Sequence, residues 1–379
     1  MPNTTTEREL GLDYIRAIAL ILMTSIHFAR SIPGSSGSYL SFIGESAPTF
    51  FFFAFGMTMD KFLSKAFYDR LKILVLFAYM AIAHNVFMYS STFFVTEFFF
   101  FLLFWQIILT AIEKEIKATR DLYLYTLLVL LVLMLIIPNE VVSNISSSLV
   151  LGPFPLLPWG IFVISGLLYS RRDRNGFIHK NGYLVPICLI MISLAFSYLS
   201  KRIEWSNFEI VKGPLSTPYF LLFCGVNLFI LKLVNDFSNL FSNIPVISKV
   251  VNFISRNLLL ATVLHYLPVN LGKNLLKIFT SSTILSNYTF FYLSGSFLCN
   301  VLLLLLIKIA LKIWDVIDNR SVINLLREYG NSSSILIIAL CSMSKLYFHC
   351  KLFIFLAMVY YALQLRSWKK ALRKDALRI

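Results

Sequence analysis

Long apolar runs separated by short polar connections recur along the whole chain of 379 residues. Crossing a bilayer as a helix takes about 20 mostly apolar residues. We expect helical spans at residues 12–29, 46–59, 71–90, 93–112, 122–138, 153–170, 183–200, 216–235, 251–271 and 289–311. A further stretch, 333–365, is ambiguous because Lys345, His349 and Lys351 interrupt it. The pattern predicts an all-α protein, a polytopic membrane helix bundle of about 10–11 transmembrane helices.

Composition agrees with this pattern and excludes two other classes. Apolar residues make up 58% of the chain and charged residues only 14%, whereas soluble domains carry about 25% charged residues. The low charged fraction excludes a soluble globular fold. Intrinsic disorder is excluded as well, because it requires low hydrophobicity. The five cysteines form no closely spaced pairs, so no metal site and no disulfide framework is expected.

The distribution of basic residues predicts the orientation. Lys and Arg total 34 against 19 Asp and Glu, and cytoplasmic loops of membrane proteins collect Lys and Arg. This explains the excess without a nucleic-acid partner. A cytoplasmic N-terminus places most basic residues inside, among them Lys61, Lys65, Arg70, Lys114, Lys117, Arg120, Arg171, Arg172 and Arg174. The N-terminus has no basic signal-peptide region, so the first span is expected to stay.

The connections are short, so no sizeable soluble domain is expected on either side. We divide the chain into a ten-helix transmembrane core at 1–311 and a second part at 312–379. The second part comprises a cytoplasmic linker, a hydrophobic segment and a basic tail. One extra span would place that tail outside, so the topology of 333–379 stays open. The predicted location is the cytoplasmic (inner) membrane of a cell, as a multi-pass protein.

The first span carries two ionisable residues, Arg16 and His27. Such a group inside a span costs about 2.5–3.5 kcal/mol on insertion scales, which makes it a functional candidate. Their separation corresponds to three helical turns plus about 20°, so both lie on one face, about 16 Å apart along the axis. Arg16 stays protonated and suits a phosphate or carboxylate, whereas His27 can act as a base near neutral pH. Taken singly, Arg16 also fits an interfacial anchor and His27 a packing histidine.

This arrangement, Asp13 followed by Arg16 and, after ten more residues, His27, resembles membrane acyltransferase family 3 and its heparan-glucosaminide N-acetyltransferase-like relatives. The segment 48–56 is similar to the family's Phe-rich second helix, with Phe55 where Ser is usual. The segment 255–265 is similar to a late helix of the family, with Val263 and Leu264 replacing the usual Tyr-Leu before His265. The resemblance covers residues 10–310.

The resemblance implies acyl transfer across the bilayer, from cytosolic acyl-CoA to a sugar hydroxyl or amine on the other face. The donor substrate would be acyl-CoA, most simply acetyl-CoA, with no tightly bound cofactor. The acceptor would be an envelope glycan or lipid-linked sugar, and membrane lipids surround the protein. Arg16 would hold a phosphate or pyrophosphate of CoA. His27 would either deprotonate the acceptor or carry the acyl group as an acyl-imidazole.

Five further residues are candidates for substrate binding. Asp13 lies one turn before Arg16 and would orient it, or it is simply a helix N-terminal acid. Glu45 would orient His27 from the next helix, or it is a solvated loop carboxylate. His84 would line the acceptor side near the depth of His27, or it packs between helices. Arg256 and His265 are nine residues apart and face opposite sides of an ideal helix, although His265 can still enter the cavity.

Two other function classes remain open at this point. A transporter or flippase of a glycan or anionic substrate would use Arg16 and His27 for binding. It would need no acyl-CoA and would leave its substrate unmodified. A catalytically silent scaffold would tolerate replacement of His27.

Overall fold

The structure is a computed structural model, and it describes residues 4–30, 43–89, 98–118, 122–136, 154, 156–171, 182–203, 215–237, 240, 243–279, 288–318 and 354–366. Helices account for 93% of this part of the chain, and no strand occurs in it. The all-α prediction is therefore confirmed for the described residues. Most of the predicted ambiguous stretch at 333–365, and the basic tail after 366, lie outside them.

Fourteen helices are named here in chain order. They are α1 (Thr4–Ala29), α2 (Ala47–Leu63), α3 (Phe67–Tyr89), α4 (Phe98–Ala111), α5 (Glu113–Ala118), α6 (Leu122–Ile136), α7 (Leu156–Arg171), α8 (Leu184–Ile203), α9 (Thr217–Asp236), α10 (Pro245–Arg256), α11 (Leu258–Leu264), α12 (Tyr266–Phe279), α13 (Tyr288–Asp318) and α14 (Ile354–Arg366).

Several of these helices have the length and composition of membrane spans. Four described stretches qualify by themselves: Leu10–Ala29, Phe67–Phe87, Thr217–Asp236 and Phe290–Val316. A fifth qualifies if α10 and the helical stretch after it count as one broken span. The helices at the predicted spans 46–59 and 153–170 have 17 and 16 residues, shorter than the roughly 20 that cross a bilayer unaided. The helical bundle is thus compatible with a membrane protein.

The predicted single span at 251–271 is the clearest difference from expectation. The structure divides this region into α10, α11 and α12. The helix breaks at Asn257, whereas at His265 it is interrupted for one residue that keeps helical dihedral angles and its backbone hydrogen bonds with Ala261 and Val269. Pro268 explains this interruption, because proline has no N–H to donate to the Leu264 carbonyl and its ring crowds that oxygen. Pro268 instead occupies the first turn of α12, where its missing N–H costs little.

The helices group into two compact units. The first comprises Met1–Leu22, Ile43–Ala66 and Phe104–Arg256, and the second comprises Met23–Phe42, Phe67–Leu103 and Asn257–Ile379. Helices α1 and α4 contribute residues to both. The predicted boundary between residues 311 and 312 falls inside α13 and stays a prediction.

In the first unit, the tightest helix pair is α2 with α7. Gly56 on α2 lies against the backbone of Val163, and Gly166 on α7 lies against the backbone of Phe53. A Cβ at either glycine would overlap a carbonyl oxygen of the other helix. Small residues that let two backbones approach are typical of helix pairs in membranes. The rings of Phe52, Trp159 and Tyr219 pack beside this crossing.

In the second unit, the end of α1 packs against α12 and α13. The ring of Phe28 occupies the space left by Gly295 on α13 and Gly272 on α12. Phe28 also belongs to a small buried apolar cluster with Ile26, Ala29, Tyr292 and Cys299. These contacts fix the position of the residue that precedes Phe28 in the chain, His27.

We expect Gly56→Ala and Gly166→Ala each to destabilise the protein, because the added methyl group has to push α2 and α7 apart. Overpacking of this kind costs about 1–3 kcal/mol. Thermal unfolding of the detergent-solubilised protein measures the effect. Val129→Leu is the matched control, since it also adds one carbon but on a side chain that is 56% exposed. Equal melting temperatures for all three variants would contradict the close crossing.

Candidate functional site

The first group of polar residues, the Arg16 site, lies in the first unit and comprises Asp13, Arg16 and Ser255. Arg16 Nη1 donates a hydrogen bond to Ser255 Oγ at 3.1 Å and lies 3.5 Å from Asp13 Oδ1. The Ser255 hydroxyl in turn donates to Asp13 Oδ1. The guanidinium is thus held by a carboxylate from its own helix and by a hydroxyl from the last turn of α10.

The Arg16 site keeps its charges accessible. The side chains of Arg16 and Asp13 are 24% and 25% exposed. Residues three apart on a helix are neighbours on its surface, which explains why Asp13 reaches Arg16. The negative charge of Asp13 offsets the positive charge of Arg16, and the Ser255 hydroxyl is hydrogen-bonded to both side chains. An anion that approaches Arg16 therefore meets a guanidinium whose orientation is already set.

The second group, the histidine cluster, lies in the second unit and comprises His27, His84, His265 and Tyr266. The ring centroids of His27 and His265 are 5.1 Å apart, and those of His27 and Tyr266 are 6.2 Å apart. Tyr266 also stacks against His265, with centroids 4.1 Å apart. Three imidazoles and one phenol, all groups able to carry a proton, thus meet in one place inside apolar helices.

His84 is buried and is tied to the cluster through Tyr266. Its Nε2 lies 3.0 Å from the Tyr266 hydroxyl, and its ring packs edge-on against Phe99 with centroids 4.8 Å apart. Tyr266 is therefore in contact with all three histidines. His84 thus packs between helices against a member of the cluster, and its role in lining the acceptor side stays a prediction.

His265 sits at the one-residue interruption between α11 and α12 and is also buried. Its Nδ1 lies 2.5 Å from the backbone oxygen of Thr262. Within the described part of the chain, its other ring nitrogen, Nε2, has no hydrogen-bond partner. Arg256 ends α10 and His265 follows α11, so the two residues do not lie on one continuous helix. The prediction that they face opposite sides applied to an unbroken helix, and these separate helices do not test it.

The two remaining predicted residues, Glu45 and Arg256, belong to the first unit. Glu45 precedes α2 in the first unit, and its backbone oxygen accepts a hydrogen bond from the Tyr219 hydroxyl at 3.2 Å. The role of its carboxylate in orienting His27 stays a prediction. Arg256 is exposed at the end of α10, next to Ser255, which is the residue that reaches Arg16.

Sequence reasoning did not single out Ser255, Tyr266 or Thr262 as members of a site. Two of them are next to predicted substrate-binding residues in the sequence, which is the signal that could have identified them: Ser255 precedes Arg256, and Tyr266 follows His265. The backbone oxygen of Thr262 carries no sequence signal, because every residue has one. Among the described residues, no group of three His, Cys, Asp or Glu side chains is arranged to hold a metal ion.

Comparison with known proteins adds no assignment. No family model matches the chain, and no curated protein or solved structure is significantly similar to it. The acyltransferase resemblance therefore rests on the sequence motif alone.

We expect Asp13 and Ser255 to be energetically coupled through their hydrogen bond. Asp13→Asn, Ser255→Ala and the double variant form a thermodynamic cycle, measured by thermal unfolding in detergent. Residues joined in one network typically show coupling of about 0.5–3 kcal/mol. The control pair combines Ser294→Ala with Asp13→Asn, since the Ser294 hydroxyl is exposed and donates to the backbone oxygen of Phe290 in its own helix. Additive effects of Asp13→Asn and Ser255→Ala would contradict the network.

Tyr266→Phe is expected to destabilise the protein while leaving the ring in place. The change removes the hydroxyl that pairs with His84 Nε2, and a buried polar group without a partner costs about 1–3 kcal/mol. The melting temperature of the solubilised protein reports this loss. Tyr68→Phe removes the hydroxyl of a tyrosine that is 64% exposed and should leave stability unchanged. A Tyr266→Phe variant as stable as Tyr68→Phe would show that the pair does not form.

Proposed function

We propose that this protein is an integral-membrane acyltransferase that moves an acyl group from acyl-CoA to a sugar hydroxyl or amine. Acetyl is the acyl group to test first. The observation that carries the proposal is the contact of His27 with His265 and Tyr266 inside apolar helices. Acyl transfer requires a group that takes the acceptor proton or carries the acyl group, and imidazole performs both roles in proteins. The Asp13, Arg16 and His27 spacing supports the same family of enzymes.

Arg16 is assigned to the donor. A planar guanidinium suits the phosphate and pyrophosphate groups of CoA because it offers several N–H donors in a fixed geometry. Its contacts with Asp13 and Ser255 support this role, since they orient the side chain before a ligand arrives. Its partial exposure leaves it within reach of a charged ligand.

The proposed topology is a core of ten membrane-spanning helices with a cytoplasmic N-terminus, in the cytoplasmic (inner) membrane. The basic residues of the predicted inner loops support this orientation. On α1, which is continuous from Thr4 to Ala29, Arg16 then lies toward the cytosol, where acyl-CoA is present. His27 lies further along the same helix, toward the opposite face where the glycan or lipid-linked sugar would be modified.

His27→Gln should abolish transfer, because glutamine can neither take up the acceptor proton nor carry the acyl group. Arg16→Ala should mainly raise the KM for acyl-CoA, by about 10- to 100-fold, the cost of losing hydrogen bonds from a charged group. Membranes containing each protein are supplied with acetyl-CoA labelled in the acetyl group. Label is then followed into envelope glycan and lipid-linked sugar fractions.

Arg171→Ala is the control for Arg16→Ala. Arg171 lies in the same unit and is also near a carboxylate, with Nε 3.6 Å from Asp60 Oδ1, but it has no assigned role. Its KM for acyl-CoA should match that of the wild type. Transfer by inserted His27→Gln protein at the wild-type rate would reject the proposal. Movement of an unmodified glycan across vesicles without acyl-CoA would favour the transporter instead.

A further inference from the structure

The hydrogen bond of His265 identifies which of its ring nitrogens carries the proton. A backbone carbonyl oxygen can only accept, so the 2.5 Å contact with Thr262 places a hydrogen on Nδ1. A neutral imidazole has a single N–H, and the other nitrogen then presents a lone pair. In the resting protein, before any substrate delivers a proton, charging the ring would bury a lone ion, which is costly in apolar surroundings. The neutral ring therefore offers Nε2 as an acceptor.

The Nε2 atom of His265 is buried and, in the part of the chain that the structure describes, has no hydrogen-bond partner. A buried acceptor left in this state costs about 1–3 kcal/mol. Buried polar groups are nearly always paired, so an unpaired one marks a place for a water molecule, a ligand or a catalytic role. Because a lone pair needs a donor, the ligand that satisfies it brings an O–H or N–H group.

The neighbours of His265 favour a proton-transfer role over a purely structural one. The ring of His27 is 5.1 Å away, centroid to centroid, and that of Tyr266 is 4.1 Å away. Both buried histidines of the cluster have one ring nitrogen without a hydrogen-bond partner among the described residues, Nδ1 in His84 and Nε2 in His265. The Nε2 of His84 lies beside the Tyr266 hydroxyl, whereas the ring of His265 packs against His27 and its Nδ1 is held by the Thr262 carbonyl.

We propose that His265 is the base of the site, with Nε2 accepting the proton of the acceptor's hydroxyl or amine and the Thr262 carbonyl fixing the tautomer that makes this possible. This inference rests on the proposed acyl transfer and deepens it. It assigns the proton to His265 and leaves to His27 the role of acyl carrier or of a group that positions the acceptor.

Acyl transfer and proton transfer to His265 are coupled in both routes, direct transfer from CoA and transfer through an acyl group on His27. The acceptor oxygen or nitrogen forms a bond to the acyl carbon while its proton passes to Nε2. The bond that breaks joins the acyl carbon to the sulfur of CoA in direct transfer, or to a ring nitrogen of His27 if that ring carries the acyl group. The leaving atom keeps the electron pair, and the proton on Nε2 returns to it or to water before the next cycle.

The test uses His265→Gly and His265→Gln in membranes that contain the full-length protein. We expect kcat to fall by about 100- to 10,000-fold, the usual contribution of a general base, while the KM for acyl-CoA stays within about twofold of the wild type, since a group that acts only in the reacting step changes kcat. Added imidazole should restore part of the rate of His265→Gly, and methylimidazoles should restore more as their basicity rises. Pyrazole, a weakly basic ring of the same size, should restore little.

Phe99→Ala is the matched control. It opens a hole beside His84 in the same cluster but removes no base, so imidazole should not accelerate it. Equal rescue of His265→Gly by imidazole and pyrazole would show that the ring only fills space, which overturns the proposal. A kcat for His265→Gln equal to that of the wild type overturns it as well.

Nitrogen NMR on protein labelled with ¹⁵N-histidine separates this inference from the proposed function. The His265 signals, assigned by their loss in His265→Gln, should show a protonated Nδ1 and an unprotonated Nε2 at pH 7. The opposite tautomer, or a doubly protonated ring, overturns the role of Nε2 even if the wild type transfers acyl groups. The expected tautomer with no transfer by the wild type contradicts the proposed function, and the base role with it.

Discussion

Polar side chains inside apolar helices have to find partners within the protein, because hydrocarbon offers none and an unpaired buried group is costly. This constraint accounts for the main polar contacts of the structure. Ser255 joins Asp13 to Arg16, and the Tyr266 hydroxyl pairs with His84. Where the constraint is left unmet, as at His265 Nε2, the structure has a polar atom suited to an incoming ligand.

Residues without ionisable or hydrogen-bonding side chains determine where these polar groups lie. Gly272 and Gly295 leave room for the ring of Phe28, which holds the end of α1 and so the adjacent His27. Pro268 cannot donate a backbone hydrogen bond to the Leu264 carbonyl. His265, whose ring packs against Tyr266, occupies the one-residue interruption between α11 and α12.

Much of the helical layout was predictable because apolar runs long enough for a bilayer have few other stable forms. The end of α1 at Ala29, the bounds of α9 and the start of α13 follow closely from the hydrophobic pattern, whereas α13 continues to Asp318, beyond its predicted end at residue 311. The pairing of Asp13 with Arg16 was equally accessible, since helical spacing alone makes them neighbours. The region 251–271 was less so, because its apolar run hides the effect of Pro268 and Asn257.

The sequence by itself determined the all-α class of the described residues, the order of the helices and the pairing of Asp13 with Arg16 one turn later, because helical periodicity is local. Only the tertiary structure decided that Ser255 contacts Arg16, 239 residues away in the chain. The same holds for the contacts of Tyr266 with His84 and His265. Such contacts depend on how distant helices pack, and packing is set by many small steric terms, such as the close backbone approaches at Gly56 and Gly166, which leave no room for a Cβ. No single stretch of sequence contains that information.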